Sequence, residues 1–450
     1  MSLPRYPEYK DSGVEWLGQV PAHWGVPRLR FTAHLNPSKS EVRQLPAETA
    51  VTFLPMEAIG DDGSVDLSRE RTLADVAEGY TFVRDGDVAF AKITPCFENG
   101  KGAIMRGLQN GIGFGTTELI VIRPHEQKLS PSFLHYLFTS ALFRQAGEST
   151  MYGAGGQKRV PDSFVRDAVI PLPSMDEQEM IGSFLDRETA KIDALVAEQE
   201  RLIALLKEKR QAAITQVITK GLNPNAAMKE SGSELIGKVP AHWNVLRAKH
   251  LSSFTTSGPR GWSEKVGDEG RLFIQSGDLN DNLGIAFEEA KRVVVTLDAE
   301  TVRTELRNGD VLVCITGART GNVAVCERLT ETAFVNQHLC LLRPNNLCLP
   351  KFLALALKSD VGQRHFMVSQ YGLKQGLSLE DVRDALIPVP PIAEQNRICE
   401  YIERFTLANT ELAEGAHHMA AVLAERRAAL VSSAVTGQID VRGHASVEAA

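Results

Sequence analysis

Asp278, Glu289 and Lys291 place a carboxylate ahead of a Glu-x-Lys pair, the composition of a metal-dependent nuclease centre. His417 and His418 offer two imidazoles side by side, and the glycine-rich "GAGGQKR" (153–159) could be the turn that cradles a methyl donor. Each weakens in its setting. Neighbouring residues on a helix point to different faces, so His417 and His418 cannot share one metal there and read as solvent-facing. "GAGGQKR" follows no recognisable strand, and "NPSK" (36–39) lacks the Pro-Pro-aromatic core of a loop that grips an adenine amino group. The glycine segment reads better as a flexible loop with cationic tips. Six cysteines (Cys96, Cys314, Cys326, Cys340, Cys348, Cys399) show no CxxC spacing and read as buried thiols, with no metal expected.

The elements that must position any site are written twice. "VPAHW" occurs at 20–24 and again at 239–243. Upstream, "SGVEWLG" (12–18) resembles "SGSELIG" (231–237). Downstream, "RDGDVAF" (84–90) answers "RNGDVLV" (307–313), Arg123-Pro124 answers Arg343-Pro344, and "VRDAVIPLP" (165–173) answers "VRDALIPVP" (382–390). Glu177-Gln178 and Glu394-Gln395 follow in step. The chain is two copies of one unit, roughly 1–220 and 221–450. Aligned at Phe53 and Phe273, the first copy has Ala58 and Arg69 where the second has Asp278 and Glu289, which argues against a repeated catalytic centre.

Composition is that of an ordinary globular protein: 43% of 450 residues are hydrophobic, enough to build real cores. No apolar run approaches the ~20 residues a bilayer requires, and "MSLPRYPEYK" has no signal-peptide character, so a cytoplasmic location without membrane contact is expected. The net charge of −7 is unevenly spread. Residues 21–172 hold 16 Lys and Arg against 17 Asp and Glu, and 241–389 hold 17 against 17, so a basic surface on either must be local.

Within each unit, short strand-like runs such as "DVAFAKI" and "VLVCITG" alternate with Gly, Pro, Asn and Asp, the pattern of a mixed α+β domain. After the "IPLP" or "IPVP" phrase the character changes. Ser174 is a candidate N-cap with Glu177 three residues on, and Gly221 supplies a stop, predicting one helix over 174–220. A second is expected over 392–437. Steps of four and three run through Ile181, Leu185, Glu188, Ile192, Leu195, Gln199, Leu202 and Leu206. They run likewise through Ile398, Ile402, Phe405, Asn409, Leu412, Ala416, Met419 and Leu423. The two helices are expected to pair antiparallel as a coiled coil, a spacer of up to about 65 Å at ~1.5 Å per residue. The alternative is that each packs only on its own domain.

Two related α+β domains, each closed by a proline phrase and Glu-Gln leading into a long helix, resemble the specificity subunit of a type I restriction-modification system. The resemblance covers nearly the whole chain, and the doubled order of the phrases carries it. It implies target recognition domains at 22–173 and 240–391, spacer helices at 174–220 and 392–437, an N-terminal segment 1–21, a linker 221–239 and a tail 438–450. It further implies that each domain reads one half of a split double-stranded DNA site, while the helices set the unread gap and dock two methyltransferase subunits. Beside a restriction subunit, this chain would be non-catalytic and hold no cofactor; S-adenosylmethionine and ATP would bind the partners. Divergent interiors, "KITPCFENGKGAIMRG" (92–107) against "CITGARTGNVAVCERL" (314–329), imply two unlike half-sites.

Base reading asks for Arg, Lys, Asn or Gln on loops. Candidates are Lys92, Asn99, Lys101, Thr116, Gln157, Lys158 and Arg159 in the first copy, and Arg260, Arg319, Asn322, Lys374 and Gln375 in the second. "YGAGGQKR" (152–159) and "YGLKQG" (371–376) are the expected shared contact loop. The rival from another class is a structural adaptor that carries two protein-binding domains on a coiled-coil rod and never touches DNA. A closer rival keeps DNA recognition but serves a methylation system with a different nuclease arrangement.

Overall fold

The computed structural model describes residues 3–154, 156–296, 298–370 and 376–444. It separates into two compact units. One comprises 1–199 with 418–450, the other 200–417, so each contains one half of each long helix.

In the first unit an antiparallel four-stranded sheet runs in the order Ala33–Leu35, Leu119–Pro124, Val88–Ala91, Gly102–Ile104. Helices Pro131–Thr139 and Ala141–Glu148 follow it in sequence, and their Phe133, Leu137 and Phe143 share a core with Phe90, Ile120 and Ile122. A second sheet, ordered Glu70–Thr72, Ala50–Leu54, Ile112–Gly115, Thr81–Arg84, has a parallel pair at its centre.

The second unit repeats the first sheet strand for strand: Ser252–Ser257, Leu339–Pro344, Val311–Cys314, Val323–Val325. Its other sheet keeps the parallel pair, Arg271–Ile274 with Ala333–Val335, but differs at the edges. There Val266–Gly267 is added, and a single bridge, Glu305 to Phe334, stands where the first unit has Thr81–Arg84.

The repeated phrases prove to be fastenings of this frame. In each "GDV" turn the glycine sits at positive φ, +89° at Gly86 and +92° at Gly309, a conformation that disfavours any side chain. The Asp that follows accepts a backbone N–H at 2.8 Å, from Arg84 or Arg307. The same carboxylate receives a forked pair of bonds at 2.7 and 2.8 Å, Asp87 from Arg123 and Asp310 from Arg343. Each fork ties a turn to the neighbouring strand through charge-assisted bonds away from water.

"VPAHW" and Glu-Gln fasten one another. His23 Nε2 lies 3.1 Å from Glu177 Oε2, and His242 Nε2 lies 2.9 Å from Glu394 Oε2. Trp24 and Trp243 are fully buried. Gln178 donates to the carbonyls of Lys128 and Pro173 and accepts from Ser130 N. Gln395 repeats this with Leu347, Pro390 and Leu349 N. The expected capping box at Ser174 is half made: Ser174 Oγ accepts Glu177 N at 3.4 Å, while the Glu177 carboxylate turns to His23 and to the Tyr6 hydroxyl at 2.7 Å.

The long helices span Met175–Lys220 and Ile392–Val435. In the first unit, Ile181, Phe184 and Leu185 share a core with Val431, Ala434 and Val435, and Arg427 bonds Asp193 at 2.8 Å. In the second unit, Ile214, Val217 and Ile218 meet Ile398 and Ile402, and Lys209 lies over Phe405. Both pairings are antiparallel. The expected seam needs correction at alternate positions. Ile181, Leu185, Ile192, Leu206, Ile398, Ile402, Asn409, Ala416 and Leu423 are buried, but Leu195, Leu202, Leu412 and Met419 are exposed and Phe405 is only half-buried. One step on, Thr189 is buried and Val196, Ile203, Thr406, Ala413 and Ala420 are half-buried, more covered than the exposed residues beside them at 195, 202, 412 and 419. Either order of three and four fits a heptad.

Candidate nucleic-acid interface

In the first unit, three segments converge where the first sheet ends. Lys92, leaving strand Val88–Ala91, donates its N–H to Glu118 O at 2.8 Å, and Val160 N donates to Lys92 O at 2.9 Å. Lys92, Glu118 and Arg159 are thereby neighbours. The loop 152–159 is closed at its base by two backbone bonds between Tyr152 and Arg159, of 3.1 and 2.9 Å. Thr94 pins its tip, donating to Gly156 O at 2.6 Å and accepting Lys158 N at 3.0 Å.

Arg159 is held side-on by Glu118. Its Nε lies 2.9 and 3.1 Å from the two carboxylate oxygens, Nη2 donates to Oε1 at 2.7 Å, and Nη1 reaches Gln157 O at 3.3 Å. These bonds hold the Glu118 carboxyl below the usual carboxylate range and raise the Arg159 guanidinium, each through the other's charge. Gln157 and Lys158 are exposed beside them, with Tyr152 at 61% exposure on the same loop.

The second unit builds the same place from other chemistry. Ile315 N donates to His338 O at 2.9 Å and Leu377 N to Ile315 O at 2.7 Å, matching the Lys92 bonds. His338 thus stands where Glu118 does, Ile315 where Lys92 does, and Gly376 where Arg159 does. Gly376 has φ +103°, and a Cβ there would come within 2.7 Å of Ile315 O, so a side chain is barred. His338 Nδ1 pairs with Thr316 Oγ1, and its ring stands beside the Gln337 amide.

The remaining candidates divide. Asn99 and Arg260 are exposed, and Lys92 is half-buried, its charge felt by Glu118. Thr116 is half-buried and accepts Glu118 N at 3.3 Å. Lys101 and Asn322 occupy the same register position, and both turn inward. Lys101 Nζ donates to Met56 O at 3.0 Å; Asn322 donates to Leu279 O at 3.1 Å and accepts Lys358 Nζ at 2.7 Å. Arg319 donates to the carbonyls of Gly277 and Leu279. These three side chains brace loops. Lys374 and Gln375 lie outside the described residues.

Sequence reasoning passed over Glu118, Thr94 and His338. The usable signal was the frame itself: "ELIVIRP" (118–124) and "HLCLLRP" (338–344) align end to end, and their first residues differ in kind. Asp278 is tied to Gln275 N at 2.7 Å, and burial, aided by Glu289, raises its carboxyl above the ordinary range. Among the described residues, no group of three or more His, Cys, Asp and Glu side chains is gathered to hold a metal ion. No described helix is long and apolar enough to cross a membrane.

The family described as type I restriction modification DNA specificity domain matches residues 99–204 and 264–417. The chain is 44% identical over 189 residues to the Type I restriction enzyme EcoAI specificity subunit of Escherichia coli, covering 42% of this chain and 31% of that one. It is 38% identical over 207 residues to the EcoEI specificity subunit of Escherichia coli, covering 43% and 34%. Those alignments span about a third of the relatives' length. In fold, a chain from a solved structure of a type I R-M system aligns with a TM-score of 0.74 at 20% identity, over 92% of this chain and 98% of that one.

Proposed function

Because the chain belongs to the family of type I restriction-modification DNA specificity domains, we propose that it is the DNA-reading subunit of such a complex, with each unit reading one half of an asymmetric, split site. The observation that carries this reading is the pairing of a shared frame with unlike polar groups at one place: Lys92, Glu118 and Arg159 in one unit, Thr316, Gln337 and His338 in the other. A frame used twice needs the same fastenings; two readers of different sequences need different side chains at the reading edge.

In this reading the long helices set the unread gap and dock two methyltransferase subunits, and a restriction subunit completes the complex. Exposed apolar residues on the helices, Leu195 and Leu202 on one, Leu412 and Met419 on the other, support a protein partner there. S-adenosylmethionine and ATP would bind the partner subunits, and this chain would supply positioning alone.

Co-expression with the cognate methyltransferase subunit in a host lacking adenine methylation, followed by genome-wide mapping of N6-methyladenine, tests the reading. A split motif with two unlike halves and one fixed gap is expected. Co-purifying subunits that methylate nothing, or methylate a continuous motif, would overturn it.

A further inference from the structure

An arginine has five N–H groups, and how a protein spends them decides what remains for a ligand. At Arg159, the side-on edge formed by Nε and Nη2 is taken by Glu118, and one Nη1 hydrogen faces Gln157 O. One hydrogen on each Nη remains, and where the 3.3 Å bond to Gln157 O uses the Cδ-side hydrogen of Nη1 the two form the end-on edge. That edge matches the paired acceptors O6 and N7 that guanine shows in the major groove. The Arg159 side chain is a third exposed, and its rotation is blocked by the Glu118 carboxylate, in the turn that leads into the core strand Leu119–Pro124.

We propose that Arg159, oriented by Glu118, is a specificity-determining residue that reads one guanine in the half-site of the first unit. The inference rests on the reading of the chain as a DNA-specificity subunit and goes on to name a base and a residue. The pair's own charge separates a base contact from a phosphate contact. Arg159 and Glu118 together are neutral, and a phosphate oxygen brought to the free edge would also meet a carboxylate. A base edge carries no net charge and pays little for that neighbour. Lys158, exposed one residue before, is the cation placed for the backbone. In the second unit the equivalent position is Gly376 and the carboxylate is replaced by His338 hydrogen-bonded to Thr316. Among the described residues no arginine fork stands there, so the guanine is read at this place in one half-site only.

The experiment compares wild type, Arg159→Lys and Glu118→Gln, each co-expressed with the methyltransferase subunit and mapped by N6-methyladenine sequencing. The wild-type map comes first: without a split motif the underlying reading fails, whatever the variants do. With a split motif in hand, Arg159→Lys is expected to relax one invariant guanine of one half-site, with discrimination there falling about 5- to 150-fold, the equivalent of ~1–3 kcal/mol for a bidentate pair. The other positions, the second half-site and the gap stay as they were. Glu118→Gln, which leaves Arg159 in place but unclamped, relaxes the same position to a smaller degree and gives an independent answer should Arg159→Lys fail to assemble. An unchanged motif at unchanged occupancy overturns the inference. So does a uniform loss of methylation with the motif intact, the mark of a phosphate contact, or a wild-type motif with no guanine in either half.

Discussion

Leu202 and Leu206 stand one turn apart on the same helix, and a heptad count places both in the seam. Structurally they differ: Leu206 is 8% exposed and Leu202 is 41% exposed. Replacing each by alanine therefore separates the two registers. Leu206→Ala empties a buried site, for which about 2–5 kcal/mol is typical. Leu202→Ala gives up only part of the ~1.5–3 kcal/mol that full burial of a leucine contributes, and alanine's better helix propensity returns a few tenths. The expected gap between the variants is about 2 kcal/mol. Both residues fall in the unit 200–417, and for a unit of that size each kcal/mol moves Tm by about 2–4 °C. Scanning calorimetry of the isolated chain should show Leu206→Ala melting some 4–8 °C below Leu202→Ala. Equal shifts, or a larger one for Leu202→Ala, would refute the seam through Val196, Ile203 and Leu206.

Three further outcomes are expected. Asp310→Ala strands the Arg343 guanidinium, which is 23% exposed, and should cost about 3 kcal/mol; the double variant with Arg343→Met should recover part of that in urea denaturation, and no recovery would refute the role of the pair. Burial pushes the His135 imidazole down to about 4, so the unfolded state takes up its proton first. The first unit should lose stability as pH falls from about 6.5 toward 4, and His135→Gln should flatten that slope in urea melts at pH 7 and 5. One heptad inserted into both long helices, near 200 and near 417, adds about 10 Å and should widen the unread gap of the methylation motif by about three base pairs while both half-sites persist; altered half-sites would make the helices part of the reader.

Much of the architecture was legible because the frame is spelled twice. "GDV" and Arg-Pro, "VPAHW" and Glu-Gln are far apart in sequence, yet each pair meets in a specific bond, Asp87 with Arg123 and His23 with Glu177. The fastening itself was not legible, since a single chain shows which phrases recur and not which touch. The seam was misread for a local reason. Leu195-Val196 and Leu202-Ile203 are adjacent apolar pairs, so the larger leucines suggest one spacing while the burial of Val196 and Ile203 follows the other. At the candidate interface, a search for cations and amides found Arg159 and missed Glu118, because an acceptor reads as hostile to DNA until its bond to the arginine is seen. Lys101 and Asn322 show the converse: residue type suited them to bases, and nearby backbone carbonyls claimed them first.

The two units differ in how the ribosome delivers them. Residues 200–417 emerge as one continuous stretch, so the second unit has every strand, helix and fastening it needs as soon as that stretch is clear. The first unit is interrupted. Trp24, Phe133 and Leu185 share their core with Val431, Ala434, Val435 and Val441, Tyr9 donates its hydroxyl to Gly437 O, and Asp440 N reaches back to Pro4 O. Those partners are translated more than two hundred residues later, tens of seconds at about 5–20 residues per second. Through that interval the apolar face of residues 3–199 has no mate of its own, and the unit begun first is the one completed last.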